Sequence, residues 1–268
     1  MASTLPTNPS LDKLRDEARK LQRGNGIALH AAQFAVARRY GFTGWPPLVH
    51  YLRLAADLSA DPGAVDDDDT LDPADRFCSW ASLRYDESDA PPRWQSAADL
   101  LAAEPEVVTR SIWAAAAASD PIAISDHLAR QPALANTAGG PFGWVPLMHL
   151  CYSRIPLGRS ATDVVAAATL LLDAGADPNG GYLWCGMSTP FTLLTGVFGE
   201  GEQGPRRQPR HPHAAELATL LLRRGAHPVD QQTLYNRMFR PDNSHLELLF
   251  AHGLADAGPS PWESRLGE

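Results

Sequence analysis

Lysine, cysteine and long apolar runs are scarce in this sequence of 268 residues, and each scarcity excludes a class of protein. Only two of the 23 basic residues are lysines, and 31 acidic residues bring the formal net charge to −8. Such a chain lacks the dense basic face that phosphate backbones require, so no nucleic-acid partner is expected. Three scattered cysteines are too few for a disulfide framework.

Signals for export or membrane insertion are also lacking. Met1 is followed by polar and charged residues, whereas a signal peptide carries an apolar stretch there. The longest apolar run, IWAAAAA from Ile112, is far shorter than the roughly 20 residues that cross a bilayer. We therefore expect a soluble cytoplasmic protein with no membrane partner.

Catalytic and metal-binding signatures are lacking as well. The chain has no Gly-rich phosphate loop, His-Glu-x-x-His, Cys-x-x-Cys or Gly-x-Ser-x-Gly. His211 and His213 stand two residues apart without a third ligand, so no metal or cofactor is predicted. Four consecutive aspartates, residues 66–69, lack the alternating ligands and glycine of a calcium loop and are predicted to be a solvated linker.

The sequence does contain two stretches that closely resemble each other. TLLLDAGADPNGG begins at Thr169, and TLLLRRGAHPVDQ begins at Thr219. In each stretch, leucines at helical spacing precede a glycine, Gly175 or Gly225, which tolerates the positive φ of a helix end. Residues typical of turns follow. Each stretch is predicted to be a helix that ends at its glycine, and the recurrence predicts a repeat fold.

A proline-started helix precedes both stretches, at Val145-Pro146-Leu147 and at Thr189-Pro190. The unit is then turn, helix, loop and helix. It resembles the ankyrin repeat, in which Thr-Pro-Leu-His-x-Ala opens one helix and Leu-Leu-x-x-Gly-Ala-Asp-x-Asn closes the next, as in Leu171–Asn179. The resemblance implies an all-α fold, an ankyrin-repeat solenoid of stacked helix pairs with β-turn or hairpin tips.

The domain organisation follows from this resemblance. Residues 1–60 form a predicted helical module, similar to one that precedes ankyrin repeats in bacterial proteins, which would cap the first repeat. Residues 61–74 form an acidic linker, and residues 259–268 form a C-terminal tail. Residues 75–258 form the ankyrin-like repeats, divided as 75–108, 109–140, 141–182, 183–230 and 231–258.

Two adjacent repeats carry insertions between their helices. The family pattern separates the helix start from its glycine by about 21 residues. Here Val145 and Gly175 are 30 residues apart, and Thr189 and Gly225 are 36 apart, which places insertions at 153–163 and 197–212. The second insertion is basic and rich in proline. Both are expected to be solvated surface loops, because such insertions cost little stability.

Candidate binding residues follow from the way ankyrin stacks bind, through their turn tips and inner helices. Trp, Tyr and Arg dominate binding hot spots, so such residues at those places are candidates for partner contact. The alternative is that Trp144 and Trp184 pack between neighbouring hairpins, since large aromatic side chains are mostly buried. The candidates are Phe142, Trp144, Tyr182 and Trp184 in the turns and His149, Tyr152 and Arg237 in the helices.

Two functions are compatible with these features. The first is a binding module that recognises a protein partner through a concave face, without chemistry of its own. The second is a groove converted to a small-molecule site, such as that of an enzyme of specialised metabolism, a cyclase or another catalyst of acid/base chemistry. In that case His149 and Tyr152 are the candidate catalytic residues, because histidine titrates near neutral pH.

Overall fold

The computed structural model describes residue 5 and residues 9–65, 70–186 and 189–266. Over this part of the chain the protein is mostly helical, with 60% helix, sixteen α-helices and one small sheet, which confirms the expected helical class. No helix in it is both long enough and apolar enough to cross a membrane. The run of four aspartates predicted to be a linker lies outside the described residues.

The elements run as follows along the chain. The helices are α1 (Leu11–Asn25), α2 (Leu29–Arg39), α3 (Trp45–Leu58), α4 (Pro73–Ala81), α5 (Pro91–Ala103), α6 (Val107–Arg110), α7 (Ile112–Ala117), α8 (Pro121–Arg130), α9 (Pro146–Tyr152), α10 (Ala161–Asp173), α11 (Leu193–Phe198), α12 (Gly204–Arg207), α13 (Ala214–Arg223), α14 (Gln231–Arg237), α15 (Ser244–Ala251) and α16 (Pro261–Leu266). The strands are β1 (Ser59–Ala60), β2 (Gly181–Trp184) and β3 (Pro190–Thr192), and 3₁₀ turns cover Pro62–Ala64 and Pro132–Asn136.

The chain forms two compact units. The first unit holds the described residues of 1–59, 185–188 and 261–268. Within it α1 packs on α2, α2 packs on α3, and α16 from the C-terminal tail packs on α3. Trp262 and Leu266 of α16 are buried. The tail is therefore a structural part of the same unit as the N-terminal helices.

The second unit holds the described residues of 60–184 and 189–260, and its helices form two rows. In one row α4 contacts α7, α7 contacts α9, α9 contacts α11, and α11 contacts α14. In the other row α8 contacts α10, and α10 contacts α13. The rows pack on each other through α7 with α8, α9 with α10 and α11 with α13. Leucine, valine and alanine side chains from both rows form one continuous core.

Three helices of this unit end in the same way, which confirms the predicted ends at Gly175 and Gly225. The glycines take φ values of 91°, 97° and 93° at Gly175, Gly225 and Gly253. Glycine occupies such positions because it has no Cβ to clash with the backbone. In each case the next residue's N–H donates to the carbonyl five residues earlier, as in Ala176 to Leu171, Ala226 to Leu221 and Leu254 to Leu249.

Two asparagines link successive helix ends. Asn136 donates from Nδ2 to the carbonyl of Gly175 at 2.6 Å, and its Oδ1 accepts from the N–H of Asp177 at 3.2 Å. Asn179 makes the same pair of bonds in the next copy, to Gly225 at 3.0 Å and from His227 at 2.8 Å. We call these pairs the asparagine bridges. Each satisfies backbone groups that the end of a helix leaves without a partner.

A short hairpin lies between α10 and α11. Strands β2 and β3 pair antiparallel, with Gly181 opposite Thr192, Tyr182 opposite Phe191 and Leu183 opposite Pro190. The insertion 197–212 follows α11 and contains α12, and the structure corrects the expectation that it is a solvated loop. Its residues Glu200, Gln208 and His211 are buried, because they pack against neighbouring helices and loops of the unit.

Replacing Asn179 by Ala removes one asparagine bridge. Each of its two hydrogen bonds contributes about 1 kcal/mol, so we expect the free energy of unfolding to fall by about 1–2 kcal/mol in urea titrations followed by circular dichroism. The matched control is Asn243→Ala, because Asn243 is exposed and makes no side-chain cap bond. A loss no larger than that of the control, which we expect to be within about 0.5 kcal/mol, contradicts the role of the bridge.

Candidate functional site

Six of the seven residues predicted to bind a partner are buried, and Trp184 is partly buried. For those six, burial corrects the expectation that the side chain contacts a partner. The turn and helix aromatics contact one another instead. Ring centroids lie 4.5 Å apart for Phe142 and Trp144, 5.0 Å for Trp144 and Tyr152, and 5.1 Å for Trp144 and Tyr182. We call this cluster the aromatic core. Trp144 lies at its centre, in agreement with the alternative that it packs inside the protein.

Local structure explains how the aromatic core is assembled. The hairpin sets Tyr182 beside Phe191, with centroids 5.7 Å apart. Tyr152 donates its hydroxyl proton to the carbonyl of Thr192 at 2.8 Å. Gly196 of α11 lies against the Tyr152 ring, where a Cβ would come within 2.3 Å of ring carbons. Only glycine lets α11 approach α9 this closely.

His149 and Tyr152, the candidate catalytic residues, are enclosed in this core. Burial lowers the pKa of His149 to about 4, from an ordinary value of 6.5. Its Nε2 lies 3.3 Å from the carbonyl of Gly139, to which the neutral ring donates. Burial also raises the pKa of Tyr152 well above its ordinary value. Neither side chain reaches solvent, so neither is placed to exchange a proton with a bound molecule.

Arg237 is the centre of a charged cluster. Although it lies on α14, its side chain is fully buried and forms ion pairs with Glu200 and, at 3.0 Å, with Asp242. Arg210 pairs with the same two acids, at 3.1 Å for Glu200. Glu200 takes a φ of 60°, a strained value for a residue with a Cβ. The expectation that Arg237 faces a partner is corrected, because the insertion brings Glu200 against it.

Arg154, which the sequence did not single out, joins the two insertions. Its guanidinium donates to the carbonyls of Pro209 at 2.7 Å and Ser153 at 2.8 Å, and to Gly196. Burial lowers its pKa to about 10, so the group stays charged at neutral pH. A buried cation held by backbone carbonyls fixes the path of both chain segments. No local pattern marks such a residue in the sequence.

A cavity of about 470 Å³ lies where the two insertions meet. Its polar side chains are Ser119, Ser153, Arg159, His211 and His213, and its apolar ones include Ile155 and Val164. The rings of His211 and His213 are 6.1 Å apart. Among the described residues no group of three His, Cys, Asp or Glu is placed to hold a metal ion. We call this space the insertion cavity.

Three large apolar side chains are exposed on α14 and in the turn after it, beside the exposed polar residues Gln231 and Arg240. Tyr235, Met238 and Phe239 are 43%, 66% and 48% exposed, and the Tyr235 ring meets Phe239 edge-on at 5.3 Å. We call these three residues the α14 patch. Sequence reasoning missed it and chose Arg237, although the spacing i, i+3 and i+4 of the three residues is that of one helix face.

Comparisons with protein-family models, with curated proteins and with solved structures find no match to this chain. The function must therefore be argued from the residues and their geometry.

The burial of His149 predicts a pH dependence of stability. Its imidazole takes a proton near pH 6.5 in the unfolded chain and only near pH 4 in the folded one. The unfolded state therefore binds more protons in this window, and stability falls as pH drops from 6.5 to 4. We expect His149→Gln to remove up to about 3 kcal/mol of this loss. Urea unfolding of both proteins at pH 7 and pH 4.5 measures it, and equal losses in the two contradict the assignment.

The charged cluster predicts a second effect on stability. Glu200→Gln leaves the buried guanidinium of Arg237 without its enclosed partner, so we expect a loss of about 3 kcal/mol in the free energy of unfolding. Glu202→Gln is the matched control, because Glu202 is exposed and accepts a hydrogen bond from the Tyr235 hydroxyl rather than from a buried cation. We expect it to change stability by less than about 0.5 kcal/mol. Similar unfolding curves for the two variants would show that Glu200 does not stabilise Arg237.

Proposed function

We propose that this chain is an ankyrin-type repeat protein that binds a partner protein through the α14 patch. The observation that carries the proposal is the exposure of three adjacent large apolar side chains on α14 and the turn after it, at one end of the row of helices that begins each repeat. In ankyrin stacks this row of first helices belongs to the binding face.

The repeat assignment is supported by features that recur along the second unit. Three helices end in the same glycine cap, and the asparagine bridges repeat 43 residues apart, at Asn136 and Asn179. A recurring bond between successive copies is what a solenoid requires, because each repeat contacts only its neighbours. The two rows of helices are consistent with first and second helices of stacked pairs.

The α14 patch has the composition of a protein-binding surface. Isolated apolar side chains on a surface need no explanation, but several together mark an interaction site. Tyrosine and phenylalanine offer large contact areas, and methionine adapts to different partners. The burial of Arg237 and Asn236 beneath them fixes the helix that presents the patch.

The occupant we propose is an apolar segment of a partner protein with basic flanks. The chain carries a formal net charge of −8, which steers positively charged partners toward it. Glu202 accepts a hydrogen bond from the Tyr235 hydroxyl and so sets a carboxylate at the edge of the patch. A catalytic function has less support, because His149 and Tyr152 are enclosed in the aromatic core.

The test begins with capture of a partner by the tagged full-length chain from its native host, followed by reconstitution from purified components. We expect Tyr235→Ala with Phe239→Ala to weaken the measured Kd by about 100-fold, since hot-spot truncations cost about 2 kcal/mol or more. Ile122→Ala, which truncates a 76% exposed apolar residue on α8, is the matched control and should leave Kd unchanged.

Equal affinities for the double variant and the control would place the interface elsewhere. Light scattering of the purified chain tests a second copy as the occupant, and a dimer broken by the double variant would replace the proposed partner. Failure to isolate a protein at a stoichiometric ratio would contradict the proposed protein-binding function.

A further inference from the structure

The insertion cavity is built from parts that repeats of ordinary length lack. The insertion 153–163 supplies one wall, and residues 211–213 at the end of the second insertion supply another. Nε2–H of His213 donates to the carbonyl of Arg159 at 2.8 Å, and this hydrogen bond connects the two walls. Arg154 makes a second connection by donating to the carbonyl of Pro209. The cavity is therefore preformed, as small-molecule sites usually are.

Ser119 presents an unpartnered hydroxyl to this cavity. The residue follows the end of α7 with a φ of 50°, a position where glycine is favoured and serine is strained. It is 4% exposed, and no hydrogen bond to its Oγ is formed by any residue that the structure describes. Strain of this kind concentrates at functional sites. Serine at this position is less stable than glycine would be, and it places a hydroxyl-bearing side chain in the lining of the cavity.

His211 supplies a second donor. It is 5% exposed, and its Nδ1 accepts from the backbone N–H of His213 at 3.1 Å, so the neutral ring carries its proton on Nε2. Burial, with smaller effects of the Arg154 charge and of His213, lowers the pKa of His211 well below its ordinary value. The ring is therefore a neutral N–H donor at physiological pH.

The charges around the cavity favour an anion. Arg159 is balanced by Asp120, at 3.2 Å, and also donates to the carbonyl of Ala118. Arg154 is hydrogen-bonded by carbonyls, and its charge acts on His211 at the cavity as well as on Asp89. Ile155 and Val164 make another part of the wall apolar. Hydrogen-bond donors, the nearby positive charge of Arg154 and an apolar wall together match a singly charged anion with an apolar body.

We propose that the insertion cavity binds a small organic monocarboxylate. Its carboxylate accepts from the Ser119 hydroxyl and from Nε2–H of His211, and its apolar body contacts Ile155 and Val164. This site is separate from the α14 patch and does not depend on the protein-binding function.

The test uses phenylacetate as the probe, with phenylacetamide and acetate as controls that lack the charge and the apolar body. The full-length chain, labelled with ¹⁵N-histidine, is titrated while the imidazole nitrogens are followed by NMR. We expect phenylacetate to shift the His211 signals with a Kd on the order of 1 mM, and the two controls to bind at least about tenfold more weakly. Absence of a saturable shift, or equal binding of phenylacetamide, overturns the proposal.

Ser119→Gly distinguishes a binding role from a structural one. Glycine relieves the positive φ, so we expect a higher Tm, while loss of the hydroxyl weakens phenylacetate binding by about five- to tenfold. Ser119→Ala keeps the strain and should weaken binding equally. Unchanged affinity in both variants rules out Ser119 as a ligand donor. The Tyr235→Ala, Phe239→Ala chain should bind phenylacetate normally, which separates this test from that of the proposed function.

Discussion

The buried guanidinium of Arg154 is the interaction on which the two insertions of the second unit depend. It donates hydrogen bonds to carbonyls at the end of α9, in α11 and at Pro209. These bonds connect both insertions to the helices. Removing a cation from water is costly, and carbonyl bonds of good geometry offset that cost. The same charge lies beside the insertion cavity. One side chain therefore shapes the fold of the insertions and the electrostatics of the space between them.

The helix boundaries could be predicted from the sequence because the rules that set them are local. A glycine such as Gly175 ends a helix through its own backbone freedom, and a proline such as Pro146 opens one through its fixed φ. Both act over a few residues, so their spacing along the chain shows where helices begin and end. The asparagine bridges connect these helix ends, but their partners lie 39 and 46 residues away and could not be found from sequence spacing.

The candidate site could not be predicted in the same way. Tyrosine, tryptophan and arginine are favoured both in binding hot spots and in packed cores, so residue type alone does not separate the two roles for Trp144 or Tyr152. Arg237 shows the physical reason. Its exposure depends on where the insertion places Glu200, and insertions follow no spacing rule. The insertion 197–212 sets Glu200 against Arg237, and both insertions line the cavity.

The position of α16 in the first unit has a consequence for synthesis. Trp262 and Leu266 are buried in a unit whose other helices end at Leu58, so that unit lacks part of its core until residues 261–266 have been made. The intervening 202 residues, from 59 to 260, take roughly 10–40 s to translate at 5–20 residues per second. Most of the second unit is synthesised during that time, whereas the first helices to be made gain their last packing partner only after residue 260.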